Sequence, residues 1–308
     1  MATTPVLPRN LSPAPDPTLA RTRGLRGAIR RHPLVSFFAL ANLLSWVAWV
    51  PYVLSLDGLG VLPFAYPALL GSSQLLGVLP GAYLGPVTAA FAVTALVDGR
   101  AGLRAWAARL WKWRAAPRWY AMALLGVPLS MILIGLLFAG GRIEAPSAAA
   151  LAAFVPMLLF QFVTTGLAEE PGWRDFALPR LQQRFTPLRA AFILGPLWAM
   201  WHFPLFLTAW GGYPEASWAR PVAFTVFCIA FNIVMSWVFN RTGQSLPLSM
   251  LTHVGVNTFA SVLWIELFPG LGDDRAIIAL ATAAVVAAAA IVLGTRGRLG
   301  YTAPVDGS

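Results

Sequence analysis

Hydrophobic and polar positions in this chain come in long blocks, not in short periods. Eight apolar blocks stand out, at roughly residues 34–55, 75–97, 119–139, 147–168, 188–208, 219–240, 246–266 and 275–294. Each is close to the roughly 20 residues a helix needs to cross a bilayer. The pattern predicts an all-α fold, a polytopic transmembrane helical bundle of about eight spans. Residues 57–74, with Gly, Pro and Ser, read as a loop that dips back into the interface. Residues 1–31 read as a disordered basic cytoplasmic arm, 32–295 as a single transmembrane domain, and 296–308 as a short cytoplasmic tail. Between the second and third blocks, Leu103, Trp106, Leu110 and Trp113 recur at three- and four-residue intervals against Arg104, Arg109 and Lys112. That spacing predicts an amphipathic helix lying on the membrane surface, and a second is expected from Arg174 to Phe185. No internal repeat is visible.

Composition agrees with this picture. The chain is 58% hydrophobic and 11% charged, with a mean hydropathy of +0.68, whereas soluble domains carry about 25% charged residues. A net charge of +10 raises the question of nucleic acid. The basic residues form no patch interleaved with exposed aromatics, so a lipid bilayer and not nucleic acid is the expected partner. Their distribution is informative. Six lie in the arm, six in 98–118, four in 169–189, one at Arg241 and two in the tail, which puts 19 of 22 on one side and leaves Arg142, Arg220 and Arg275 on the other. The positive-inside rule makes the richer side cytoplasmic and places both termini there. A bacterial cytoplasmic membrane is the expected location. Cys228, the one cysteine, lies in an apolar run and reads as a small core residue.

Against this background Glu169, Glu170, His202, His253 and Asn257 are conspicuous, because they fall in or beside membrane-spanning blocks. An ionisable group at membrane depth costs about 2.5–3.5 kcal/mol on insertion scales and points to function. Adjacent helical residues diverge by about 100°, so the two glutamates divide their roles: Glu169 toward a cavity, Glu170 onto Arg174, four residues on, as a structural ion pair. His253 and Asn257 share one helix face. Taken singly, the glutamates read equally well as span-end charges and the histidines as helix-packing glue worth about 0.6 kcal/mol per bond. Together they supply a base, a proton partner and oxyanion donors, and equally the Glu and two His of a catalytic zinc site. Zinc and a metal-free mechanism both stay open.

The three motifs EEPGWR (169–174), WAMWH (198–202) and HVGVN (253–257) resemble the EExxxR, FxxxH and HxxxN motifs of the CPBP family, the CAAX-protease and bacteriocin-processing (Abi) intramembrane proteases. The resemblance covers roughly residues 75–294 and is strongest over 160–260. Trp198 replaces the motif Phe, which bears on pocket shape. The resemblance implies intramembrane hydrolysis of peptide bonds in a membrane-associated protein or peptide substrate, prenylated CAAX tails in eukaryotic relatives, within a cavity opening toward the cytoplasm. Carried over residue by residue, Glu169 with His202 activates water while His253 and Asn257 stabilise the oxyanion. Two rival readings are a non-catalytic interaction or bacteriocin-immunity protein of the same fold and a proton-coupled transporter. One tension accompanies the assignment. Glu169 stands at a span end, whereas His202, 14 residues into its span, lies about 20 Å deep. A break at Gly195-Pro196, a rise of the segment 179–188, or a displaced fourth span is needed to bring them together.

Overall fold

The computed structural model describes residues 24–302. Eight helical segments are long and apolar enough to cross a membrane: Pro33–Leu54, Gln74–Val97, Pro117–Phe138, Ala148–Gln182, Pro187–Leu207, Ala219–Arg241, Leu246–Leu267 and Asp273–Thr295. No strand forms among the described residues, so the fold is the all-α bundle that the apolar blocks predict. Their number is even, so the first span begins and the eighth ends at the same face. Residues 1–23 of the expected arm and 303–308 of the tail lie outside the described residues, and Leu25–Arg31 forms a short helix.

The fourth span departs from expectation. It continues for 35 residues to Gln182, absorbing most of what reads in sequence as the loop 169–189. The amphipathic surface helix expected from Arg174 is not there, because every residue from Ala168 to Leu178 is buried inside the bundle. Pro171 has no N–H to give the helical ladder. The chain accommodates it by loosening to π-helical turns over Phe162–Gly166 and Pro171–Ala177 without breaking, a distortion common at functional sites. Gly172 permits the tight packing that follows, since a Cβ there would sit 2.7 Å from both the Cβ and the carbonyl oxygen of Pro86.

Small residues bring the other spans together in the same way. Gly77, Gly81 and Gly85, one per turn of the second span, face Tyr52, Trp49 and Ser45 of the first, the small-residue packing that lets membrane helices approach closely. Gly195 meets the backbone of Ile229 in the sixth span. Gly195-Pro196 does not break the fifth span, which is helical from Pro187 to Trp201 and tightens to a 3-10 turn over Phe203–Leu207, just past His202.

The surface helix before the third span is present as Gly99–Ala108, with no residue fully buried. It is fastened to the fourth span by an Arg109–Asp175 ion pair at 2.5 Å and by Trp106 Nε1–H donating to the Pro171 carbonyl at 3.1 Å. The segment between the first two spans holds no helix, and its exposed Val61, Phe64 and Leu70 are apolar.

Candidate active site

The length of the fourth span removes the depth conflict. Glu169 stands thirteen residues before Gln182, and His202 fifteen residues after Pro187. At 1.5 Å per residue, both lie about 20 Å from the same face of the bundle. Extension of the fourth span, not a break in the fifth, brings them level.

Glu169, His202, His253 and Asn257 line one cavity of about 470 Å³, between the second, fourth, fifth, sixth and seventh spans. Glu169, His202 and His253 are buried in protein and Asn257 partly so. Glu170 and Arg174 are not in the lining. They sit behind it, fully buried, with Arg174 Nε 3.1 Å from Glu170 Oε2. The other Glu170 oxygen, Oε1, faces His253 Nδ1 at 2.9 Å. Arg174 Nη1 also donates to Asn232 Oδ1, and Asn232 Nδ2 donates to the Ala191 carbonyl at 2.6 Å. The structure thus brings all six candidate residues into one assembly with two layers, a cavity wall and a charged support behind it.

Hydrogen bonds define which atoms remain for chemistry. The Trp198 carbonyl can only accept, so His202 Nδ1–H donates to it at 2.9 Å. That tautomer leaves Nε2 of a neutral ring with a free lone pair. His253 donates Nδ1–H to the Glu170 carboxylate, which likewise frees Nε2. Trp198 Nε1–H donates to Glu169 Oε2 at 2.9 Å, which leaves Oε1 without that donor.

Trp198 was legible in sequence only as a change of pocket shape, and it does more. Its indole packs edge-on against both His202, at 5.9 Å between centroids, and His253, at 5.3 Å. The Arg174 guanidinium lies 5.9 Å from its ring centre. One residue therefore contacts the acid, both imidazoles and the supporting cation. A Phe in its place keeps the ring and loses the N–H. Asn232 was missed as well. The signal was an amide inside the apolar run of the sixth span, whose hydrogen-bond partners, Arg174 and the Ala191 carbonyl, lie far away in sequence. On the far wall, Trp210 stacks on His202 at 5.5 Å with 15° between planes.

Among the described residues, no group of three His, Cys, Asp or Glu side chains gathers in a way that could hold a metal ion. Glu169, His202 and His253 as placed do not make the three-ligand zinc site that their residue types allow, so no step below is routed through a metal.

The lining extends to Gln74, Leu205 and Trp210 and includes no residue of the connections 98–116 and 183–186. Below Glu169 the turns from Ala168 to Leu178 are buried inside the bundle.

Residues 150–259 match the family model described as type II CAAX prenyl endopeptidase Rce1-like, a stretch that holds all three motifs. The chain is also 27% identical over 173 residues to CAAX prenyl protease 2 of Methanococcus maripaludis, an alignment covering 55% of this chain and 59% of that relative. In its motifs and in these matches the chain is similar to the CPBP family.

Proposed function

We propose that this protein is an intramembrane endopeptidase of membrane-associated polypeptides, with Glu169 as the general base. The observation that carries the reading is the cavity itself, where a carboxylate, two imidazoles with Nε2 available and an amide face one buried space. Water held between Glu169 Oε1 and His202 Nε2 gives a proton to the carboxylate as its oxygen attacks the scissile carbonyl carbon. The resulting oxyanion accepts hydrogen bonds from Asn257 Nδ2–H and from His253 Nε2–H. The latter donor exists in the charged ring, for which Glu170 is the counter-ion. Collapse re-forms the carbonyl, breaks the C–N bond and returns the proton from Glu169 to the leaving nitrogen. Donors aimed at developing charge in a water-poor site are usually the largest single catalytic contribution.

In this reading Glu170 and Arg174 are positioning residues, since neither reaches the cavity. Membrane-associated protein substrates fit the family. The name of the Methanococcus relative ties that protein to CAAX prenyl tails, and such tails are one candidate class here. A transporter reading is not favoured, because the sequence shows no internal repeat and the charged groups past Glu169 are tied to one another in buried pairs.

Purified protein incubated with a library of apolar peptides, with and without a chelator, tests the proposal. Discrete cleavage products are expected, and their absence across the library contradicts it. Loss of cleavage with chelator, together with zinc bound to the purified protein, selects a metal-assisted version.

Trp198→Phe gives a sharper test of the geometry. A hydrogen bond to a charged group is worth about 1.5–3 kcal/mol, so kcat is expected to fall about 10- to 100-fold. KM and the melting temperature should change little, because the packed ring remains. Measured kcat for the variant equal to wild type would show that the indole N–H does not orient Glu169.

A further inference from the structure

The fourth and seventh spans run antiparallel and are joined along their shared length. Ser147 donates to Glu266 near one end, Phe154 packs edge-on against Phe259 at 6.4 Å, and Glu170 meets His253 at 2.9 Å. Between them Gly166 lets the helices approach, since a Cβ there would lie 3.2 Å from the Met250 side chain and 3.3 Å from that of Val254. One face of this pair lines the cavity. It presents Gln161, Thr165 and Glu169 from the fourth span and His253, Asn257 and Ser261 from the seventh, each set at four-residue intervals. Because the spans are antiparallel, the two sets fall level in three rungs: Glu169 with His253, Thr165 with Asn257, and Gln161 with Ser261. The last rung is closed by a hydrogen bond, Gln161 Nε2–H donating to Ser261 Oγ at 3.2 Å.

The hydrolysis proposed above uses the first rung and Asn257, and leaves Gln161 and Ser261 without a role. Gln161 stands thirteen residues into the fourth span, between Phe160 and Phe162. A polar group at such depth is costly and points to function. Fastening the two spans does not account for it, because Ser261 is exposed and Gln161 only half-buried. Their bond lies at the cavity surface and not inside the helix interface. Gln161 therefore keeps its Oε1 acceptor and a second N–H for a ligand. The second, fifth and sixth spans supply wall of a different kind, with Val78, Leu79, Leu205 and Phe224 all apolar.

The rung spacing suits one chain conformation. Four helical residues advance about 6 Å, and two residues of an extended chain advance about 6.6 Å. We infer that the substrate lies along the fourth and seventh spans as an extended strand, its scissile bond at Glu169 and a more distant backbone amide held by Gln161 and Ser261. This rests on the reading of the Glu169 cavity as the proteolytic centre. Glu169 and Gln161 are about 12 Å apart along their helix, which is the length of about four extended residues. Gln161 Oε1 accepts from a strand N–H there, and its free N–H donates to a strand carbonyl. Alternate side chains of the strand then turn away from the rungs onto the apolar wall. The substrate class is an apolar segment that is already unwound. A helix pairs its own N–H and C=O groups and leaves nothing for the rungs to bind.

Kinetics on a peptide that the wild type cleaves test the inference, with Gln161→Ala, Ser261→Ala and Ser261→Thr made in the full chain. KM is expected to rise about 2- to 10-fold in both alanine variants, the strength of one neutral hydrogen bond. Turnover should stay unchanged, because the contact is made equally in the ground and transition states. Ser261→Thr keeps the hydroxyl and should keep the wild-type KM. From the substrate side, an ester replaces the amide about four residues from the cut, on either side in turn. On one side it should raise KM for the wild type and add nothing further in Gln161→Ala. Unchanged KM in Gln161→Ala with a lowered melting temperature would mean that Gln161 only fastens the two spans, and overturns the inference. Ester penalties that are equal in wild type and Gln161→Ala overturn it as well. Equilibrium binding of the same peptides separates the inference from the reading beneath it. If no peptide is cleaved, while Gln161→Ala and the ester still weaken binding without adding to one another, the strand site stands and the protease reading falls.

Discussion

Glu169→Ala, His202→Ala and His253→Ala each reduce cleavage below detection, while Asn257→Ala leaves a residual rate. The difference follows from what each side chain alone can supply. Glu169 is the one carboxylate in the cavity lining, and His202 presents Nε2 to the same space. Without either, water is neither deprotonated nor held. His253 is expected to be as costly as these two, because it serves the oxyanion and is also the partner of Glu170 at 2.9 Å. Its loss leaves a buried carboxylate with one fewer donor. Asn257 shares the oxyanion with His253, and removal of a single such donor typically costs about 10²–10³ in turnover. Losses within a unit of this kind are far from additive, so pairing Asn257→Ala with Glu169→Ala should add nothing further. Peptide binding should survive in all four variants, since the apolar wall of the cavity supplies most of the affinity. Turnover and equilibrium binding measured side by side on the purified variants check both halves of this expectation.

The second large effect is on stability. Glu170→Ala strands Arg174, which has no solvent exposure, and breaking a buried pair from one side costs about 3–5 kcal/mol. A marked fall in melting temperature in detergent is expected, together with loss of cleavage. Glu170→Gln, which keeps an acceptor for His253, should be milder in stability and still lose activity as the support of His253 weakens. The charge swap Glu170→Arg with Arg174→Glu is expected to recover part of the stability. It should recover little activity, because position 170 then no longer accepts from His253. Equal loss of activity in the single variants and in the swap, with melting temperatures unchanged, would mean that Glu170 takes part in the chemistry directly.

Span count was readable from sequence because the membrane imposes one dominant rule, a block of about 20 apolar residues per crossing. Seven of the eight blocks have ends within about two residues of those in the structure. The fourth was misread at its far end for a physical reason: Glu169, Glu170, Arg174, Asp175 and Arg180 look like a solvated loop when each is priced singly. Their cost is offset by partners distant in sequence. Asn232 stands against Arg174, His253 against Glu170, Arg109 against Asp175 and Asp98 against Arg180. Pairings over such separations leave no local pattern. The Glu170–Arg174 contact is local, and its i,i+4 spacing was visible. Trp198 shows the opposite limit. A motif comparison reads it as one aromatic in place of another, and only the fold reveals that its N–H reaches Glu169 across 29 positions.

The role of Glu169 as the base is most directly tested by Glu169→Gln. Glutamine keeps the size of the side chain and an oxygen to accept from Trp198 Nε1, so the cavity and its packing are retained while the base is removed. Wild-type and Glu169→Gln proteins, purified in parallel and matched in melting temperature, are given a peptide that the wild type cleaves, and products are followed by mass spectrometry. The account predicts a single defined cut by the wild type and none by the variant. Cleavage by Glu169→Gln at the wild-type rate would contradict it.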